Sequence, residues 1–309
     1  MSYQPQAPGD WGSMLETPGI SSSTEKLNTL DACEHFLRSW KTQGSNVLLI
    51  LHGLGGHSGW YIDMGNVLAS HGITVYAMDH RGFGRSGGLE GHIDNYHTYV
   101  KDISFILDVI RKRHPESNIF LLGHSMGGLF ATYVAAAYGE GLAGILLLNS
   151  WIQDTSQLPF FTMLTIVLGG LFKSKRYWQV SGGIPTMTTN PEAILMLQND
   201  PLWRQRQTAS MLFQLFLMRL VALFKARKIA TPALAMQAAA DKAVVVATNR
   251  KLYEAMASQD KTWKTYPGYA HDSEFEHDRT QLDFDIVTWI SEHAVPPGTT
   301  SSAKPPGTS

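Results

Sequence analysis

A strand that turns sharply into a helix through a glycine-flanked serine leaves few folds open to this chain. Residues 118–122 form a short apolar run, Gly123-His124-Ser125-Met126-Gly127 follows with Gly128 after it, and an Ala-rich helical pattern occupies 126–138. G-x-S-x-G by itself is a short pattern that many chains match by chance. Its meaning comes from the strand before it and the helix after it, a turn that holds a serine hydroxyl above the edge of a sheet. The glycines at 123 and 127 leave room for the turn. Ser125 is expected to be strained there, and the first amides of the helix favour negative charge developing beside it.

The rest of the chain fits the same architecture. Asn46–Leu51, Ile73–Met78 and Ile145–Leu148 read as continuous apolar strands; Pro232–Met236 begins a further strand and Lys261–Tyr266 is the last. Tyr99–Arg113 reads as a helix with Val100, Ile103, Ile106, Leu107 and Ile110 on one face, ended by Pro115. A final helix is expected over about 281–293. Apolar strands alternating with helices describe an α/β fold, a mostly parallel sheet with helices on both faces. That core is expected over 11–150 and 229–295.

Residues 151–228 break the alternation. They contain no clear strand and two strongly apolar stretches, 158–172, broken by Gly169-Gly170, and 211–224. They read as a helical cap inserted over the C-terminal edge of the sheet, where open α/β sheets bind ligands. Both stretches are expected to be buried or groove-lining helices, with contact to a membrane surface as the alternative. Over 151–230, nine Lys and Arg stand against three Asp and Glu, a net of +6, so the remainder carries −7 of the chain's −1. The near-zero total excludes a broad basic surface for nucleic acid. Residues 1–10 and 296–309, rich in Pro, Gly and polar residues, are expected to be disordered. No signal peptide and no spanning helix are expected. The single cysteine, Cys33, excludes a disulfide framework. A cytoplasmic location, peripheral to a membrane through the cap, is the expectation; oligomeric state is not legible.

A serine hydroxyl is a weak nucleophile and needs a base held by an acid. In this architecture the chain order is serine, acid, histidine. Of twelve histidines only His271, His277 and His293 come late enough. His271 follows the last strand on a loop that can reach back to Ser125. His277 lies in the acidic stretch 274–278 and is expected to be solvated, and His293 ends the final helix. Asp241 is the first carboxylate after the strand beginning at Pro232 and is the expected acid. Asp260 reads as part of an exposed turn, and Asp272 is too close in sequence to bond the His271 ring. For an oxyanion, the expected donors are the amides of Met126 and of Leu54 in the glycine-rich loop 52–56. His52 is expected to brace that loop. The pattern G-x-G-x-x-G at 82–87 follows a strand but opens no helix, so no dinucleotide site is expected. No cofactor and no metal are expected.

The segments HGLGGHSGWY, DHRGFGRSGG, FLLGHSMGG, Asn199-Asp200-Pro201-Leu202, SQDKTWKTYPG and YAHDSEFE occur in an order that resembles the monoacylglycerol lipases and the wider lysophospholipase-like α/β-hydrolases. The likeness spans about 25–293, cap included. It implies an α/β-hydrolase core under a helical cap, no cofactor, and cleavage of long-chain acyl esters, with Ser125, Asp241 and His271 on the triad and Leu54 and Met126 on the oxyanion hole. Lysophospholipids, short-chain esters, thioesters and acyl transfer are alternatives on the same residues; a non-catalytic binding protein is a remote one. The chain also departs from that family. Arg204 and Val244 stand near positions where the mammalian enzymes carry reactive cysteines, and Gly56 stands where an acidic residue is common. Arg204 and Arg206 add charge to the cap, which bears on the polar head group.

Overall fold

Several of the strands are too uniformly apolar to have a wet face. The structure, a computed structural model, describes residues 21–155, 159–179 and 186–295. In it β3 (Asn46–Leu51), β4 (Ile73–Met78), β5 (Asn118–His124), β6 (Gly144–Leu148), β9 (Ala233–Ala238) and β10 (Lys261–Tyr266) run parallel in the order β4-β3-β5-β6-β9-β10. All residues of β4, β6 and β9 are buried, as expected where helices cover both faces. Along β3 the side chains alternate: Val47, Leu49 and Leu51 enter one core, Leu48 and Ile50 the other. The first core includes residues of α2 (His97–Arg113) and α3 (Met126–Tyr138), the second residues of α1 (Ile62–Ser70) and α8 (Thr280–Glu292). The expected loose ends, 1–10 and 296–309, lie outside the described residues.

The sheet is wider than the sequence suggested. β1 (Ser23–Asn28) and β2 (Glu34–Trp40) form a hairpin that joins antiparallel to β4 and completes eight strands. The Glu, His, Arg and Ser of β2 hide its strand character, yet His35 and Ser39 are buried. Helices α1 and α7 (Val246–Ala255) were also unforeseen; among the described residues α7 buries only Asn249 and Leu252.

Above the C-terminal edge lie α4 (Phe160–Leu171), α5 (Pro191–Gln198) and α6 (Ala209–Ala226). Two expectations are corrected here. The segment contains strands: β7 (Tyr177–Gln179) pairs antiparallel with β8 (Arg206–Thr208). Three-residue strands carry too little periodicity to be read from sequence. And α4 is not a buried helix, since only Ile166 and Gly170 are buried and the glycines do not break it. A Cβ on Gly170 would stand 2.1 Å from that of Phe213, so the glycine lets α4 close on α6. By length and composition α6 could cross a membrane. Its Met211, Leu215, Met218 and Ala222 are instead buried in the core shared with α3.

Just past the ends of β3 and β4 two imidazoles, His52 and His80, lie with ring centroids 4.2 Å apart and planes tilted by 50°. Burial drives His52 down from 6.5 to about 3 and His80 well below its ordinary value, so both are neutral in the fold. An unfolded chain protonates them below about pH 6.5, so the fold loses roughly 1.4 kcal/mol per pH unit for each as pH falls further. His80→Leu is expected to flatten this acid loss by about one proton's worth, measured by urea denaturation at pH 7 and pH 5.5; an unchanged slope would contradict it.

Candidate active site

The topology brings four loops to one edge. Leu51 of β3 pairs with Gly123 of β5, and Ala238 of β9 pairs with Tyr266 of β10, so the strands end nearly level. The loops leaving them carry Leu54, Ser125, Asp241 and His271. The strand order reverses between β3 and β5, the point at which open α/β sheets bind their ligands.

Ser125 sits at φ +53°, ψ −113°, outside the basins that non-glycine residues favour. The cause is crowding. A Cβ on Gly127 would lie 2.1 Å from the Leu51 carbonyl oxygen, and one on Gly123 would lie 2.2 Å from that of Gly127. The turn is held by the Ser125 amide donating to Leu148 O at 2.9 Å, while the Ser125 carbonyl accepts from Gly128, Leu129 and Trp151.

His271 Nε2 lies 2.8 Å from Ser125 Oγ, and its Nδ1 lies 2.8 Å from Asp241 Oδ2. The tautomer that uses both contacts has Nδ1–H donating to the carboxylate and Nε2 accepting from the hydroxyl. The Asp241 side chain is fully enclosed. Burial pushes its carboxyl up, but His271 and the amides of Val244 and Ala243 outweigh that and hold it below the usual range. Those amides reach Oδ1 at 3.0 and 2.8 Å.

The rival residues are elsewhere. His277 is exposed. His293 and Asp260 pair with each other, Nε2 to Oδ2 at 3.2 Å. Both nitrogens of His52 serve backbone: Nδ1 donates to Gly53 O at 2.7 Å and Nε2 accepts from His80 N at 3.0 Å. Met126 opens α3, so its amide is one of the first four that no helical carbonyl can satisfy. The loop bearing Leu54 presses on the serine: a Cβ on Gly53 would stand 3.2 Å from that of Ser125.

Sequence reasoning missed a layer behind these residues. His124 is buried between Glu274 Oε1, 3.1 Å from its Nδ1, and the His271 carbonyl, 3.1 Å from its Nε2. Burial alone would lower His124, but Glu274 and Asp272 raise it to about 9. Burial and the Glu274 charge push Asp272 up to about 7. Asn149, at φ +45°, donates to the same His271 carbonyl at 2.6 Å and accepts from Ala238 N at 2.7 Å. A second buried link joins the cap to the first loop: Asp200 Oδ2 accepts from His57 Nε2 at 2.8 Å and Trp60 Nε1 at 2.7 Å. His124, His57, Asp200 and Glu274 all lie inside the motifs quoted above; their pairing across 140 residues or more has no local signal. His124, His271 and Asp272 are close enough to share a metal ion, but His271 faces Ser125 and Asp241, and His124 faces Glu274.

The family described as serine aminopeptidase, S33, matches residues 42–278. The monoglyceride lipase of Homo sapiens is 29% identical over 274 residues, covering 86% of this chain and 89% of that protein. The monoacylglycerol lipase of Mycolicibacterium smegmatis is 28% identical over 261 residues, 82% and 90% of the two chains. The crystal structure of Paleococcus ferrophilus monoacylglycerol lipase superposes with a TM-score of 0.76 at 25% identity, over 84% of this chain and 99% of that one.

Because the turn at Ser125 has no room for a methyl group, Gly127→Ala is expected to cost about 3 kcal/mol or more. Gly72→Ala, where a Cβ meets nothing within 4 Å, carries only the left-handed φ of +80° and should cost about 1 kcal/mol. Urea midpoints of the two variants test this ordering; equal losses would contradict the crowding argument.

Proposed function

We propose that this chain, which belongs to the serine aminopeptidase S33 family, is a serine hydrolase that cleaves the ester of a long-chain monoacylglycerol to fatty acid and glycerol. The observation that carries the reading is the unbroken line of 2.8 Å hydrogen bonds from Asp241 through His271 to Ser125, at a sheet edge beneath an apolar cap.

Ser125 Oγ attacks the ester carbonyl carbon while His271 Nε2 takes its proton. The carbonyl oxygen becomes an oxyanion, held by the amides of Met126 and Leu54. When the intermediate collapses, the bond to the glycerol oxygen breaks and His271 returns the proton to that oxygen, leaving an acyl-serine. Water then attacks the acyl carbon and gives a proton to His271. The second collapse releases the fatty acid and restores the Ser125 hydroxyl. Asp241 holds the tautomer and stabilises the imidazolium.

The aminopeptidase in the family's description fits this cap less well. A free amine needs an unpaired carboxylate, and residues 151–230 hold only Asp154, Glu192 and Asp200. Asp154 pairs with Arg219, Asp200 pairs with His57, and Glu192 is exposed to solvent on the first turn of α5.

The cap also supports contact with a lipid surface. Phe160, Phe161, Leu171 and Phe172 are 62–83% exposed on α4 and its end, and Leu220 and Phe224 are exposed on α6. Lys173, Lys175 and Arg176 follow directly. An apolar face rimmed by cations is suited to an interfacial position, where the substrate resides.

Fatty-acid release is expected to rise with acyl length and to vanish in Ser125→Ala, with para-nitrophenyl acetate as the short-chain control. Asp241→Asn should lower kcat by about 10³-fold or more, and Asp260→Asn should leave it unchanged; the reverse outcome would reassign the acid. Turnover of acetate alone would reject the long-chain substrate. Separately, the protein should co-sediment with phosphatidylglycerol vesicles, and a Phe160→Ser, Phe161→Ser, Phe172→Ser triple variant should not, while retaining acetate turnover. Equal sedimentation of both proteins would remove the cap contact.

A further inference from the structure

The residues just after β6 do more than lead into the cap. The Trp151 amide donates to the Ser125 carbonyl at 2.9 Å, which ties this segment to the nucleophile's turn. Two residues on, it pairs with the acid's loop: Val245 N donates to Gln153 O at 2.8 Å, Thr155 N donates to Ala243 O at 3.1 Å, and Asp154 bridges Val244 antiparallel. The amides of Ala243 and Val244 in turn hold the Asp241 carboxylate. Residues 151–155 are thus a strap between the backbone of Ser125 and the loop that aims Asp241.

One side chain from the cap grips this strap. Arg219, in the middle of α6, donates from Nε to the Ile152 carbonyl at 3.0 Å and pairs through Nη1 with Asp154 Oδ2 at 2.8 Å. Its guanidinium carbon lies 4.9 Å from the Trp151 ring centroid. Trp151 Nε1 donates to the other oxygen of Asp154. Arg219 is 18% exposed and Asp154 30%, so the group is shielded but not sealed. A planar fork that bonds a carbonyl and a carboxylate while stacking on an indole is a task for arginine and not for lysine.

We infer that Arg219 is a positioning residue for the reaction: by fixing the 151–155 strap it sets the distance between Ser125 and Asp241 that His271 has to span. The inference rests on the triad reading above. It also makes the triad sensitive to α6, the helix that presents Leu220 and Phe224 to the surface.

The test is a mutant cycle on para-nitrophenyl acetate, which is soluble and needs no cap contact. Arg219→Met, which keeps the stem and removes the fork, is expected to lower kcat by about tenfold or more with KM within about twofold. Asp154→Asn should reproduce part of the loss, and Arg219→Lys should fall between Met and the wild type. The deciding measurement is Arg219→Met in an Asp241→Asn background. If Arg219 acts through Asp241, it should cost less than about twofold there. A loss of the same size in both backgrounds, or wild-type kcat in Arg219→Met, would overturn the inference. Thermal melts keep the assays below each variant's unfolding, and Asp154→Asn serves if Arg219→Met does not fold. If Asp241→Asn itself turns over normally, the triad reading falls instead.

Discussion

The site depends on one crossing of backbone. The start of α3 passes so close to the end of β3 that no side chain fits at Gly127, and Ser125 is forced to φ +53°. A non-glycine residue in that region costs about 1–3 kcal/mol. Four backbone hydrogen bonds at Ser125, to Leu148, Gly128, Leu129 and Trp151, offset a cost of that size. The strain is stable because β5 from Ile119 onward and α3 through Ala135 are buried around it. It also sets the Ser125 hydroxyl at the N-terminus of α3, 2.8 Å from His271 Nε2.

Charge is handled by pairing. Groups buried this deeply would shed their ionisation if left alone, since desolvation opposes the charged form. Asp241 is kept anionic by His271 and two amides, and His124 is kept cationic by Glu274 and Asp272. The His271 loop is therefore gripped twice, through its ring by Asp241 and through its carbonyl by His124 and Asn149. The same logic fastens the cap, where Asp200 is held by His57 and Trp60 and Asp154 by Arg219.

The cap resolves two demands that compete on one helix. α6 has enough apolar residues for both of its sides: Met211, Leu215, Met218 and Ala222 are buried in the α3 core, while Leu220 and Phe224 face outward. α4 rests on it through Gly170 and turns most of its own apolar residues to solvent. Exposure of that kind lowers solubility and is kept where a surface has something to bind.

Much of this was legible in the amino-acid order. Five of the six parallel strands follow from apolar runs that have no polar face, while β10, with its lysines and threonines, is only partly buried, and the strand–serine–helix pattern states where the sharp turn must be. The order of Ser125, Asp241 and His271 after successive strands follows from how such a sheet is wound. What stayed hidden depended on partners distant in sequence. β2 looks polar until β4 and the loops bury it, and β7 and β8 are strands only because they meet each other. His124 and Glu274, or Arg219 and Asp154, are unremarkable letters until the fold sets them about 3 Å apart. Sequence by itself determined the local geometry and the strand ends, because periodicity and glycine placement act over a few residues. Only the tertiary structure decided which buried charges pair and which face of the cap stays exposed, because those energies depend on desolvation by residues that the chain order does not place side by side.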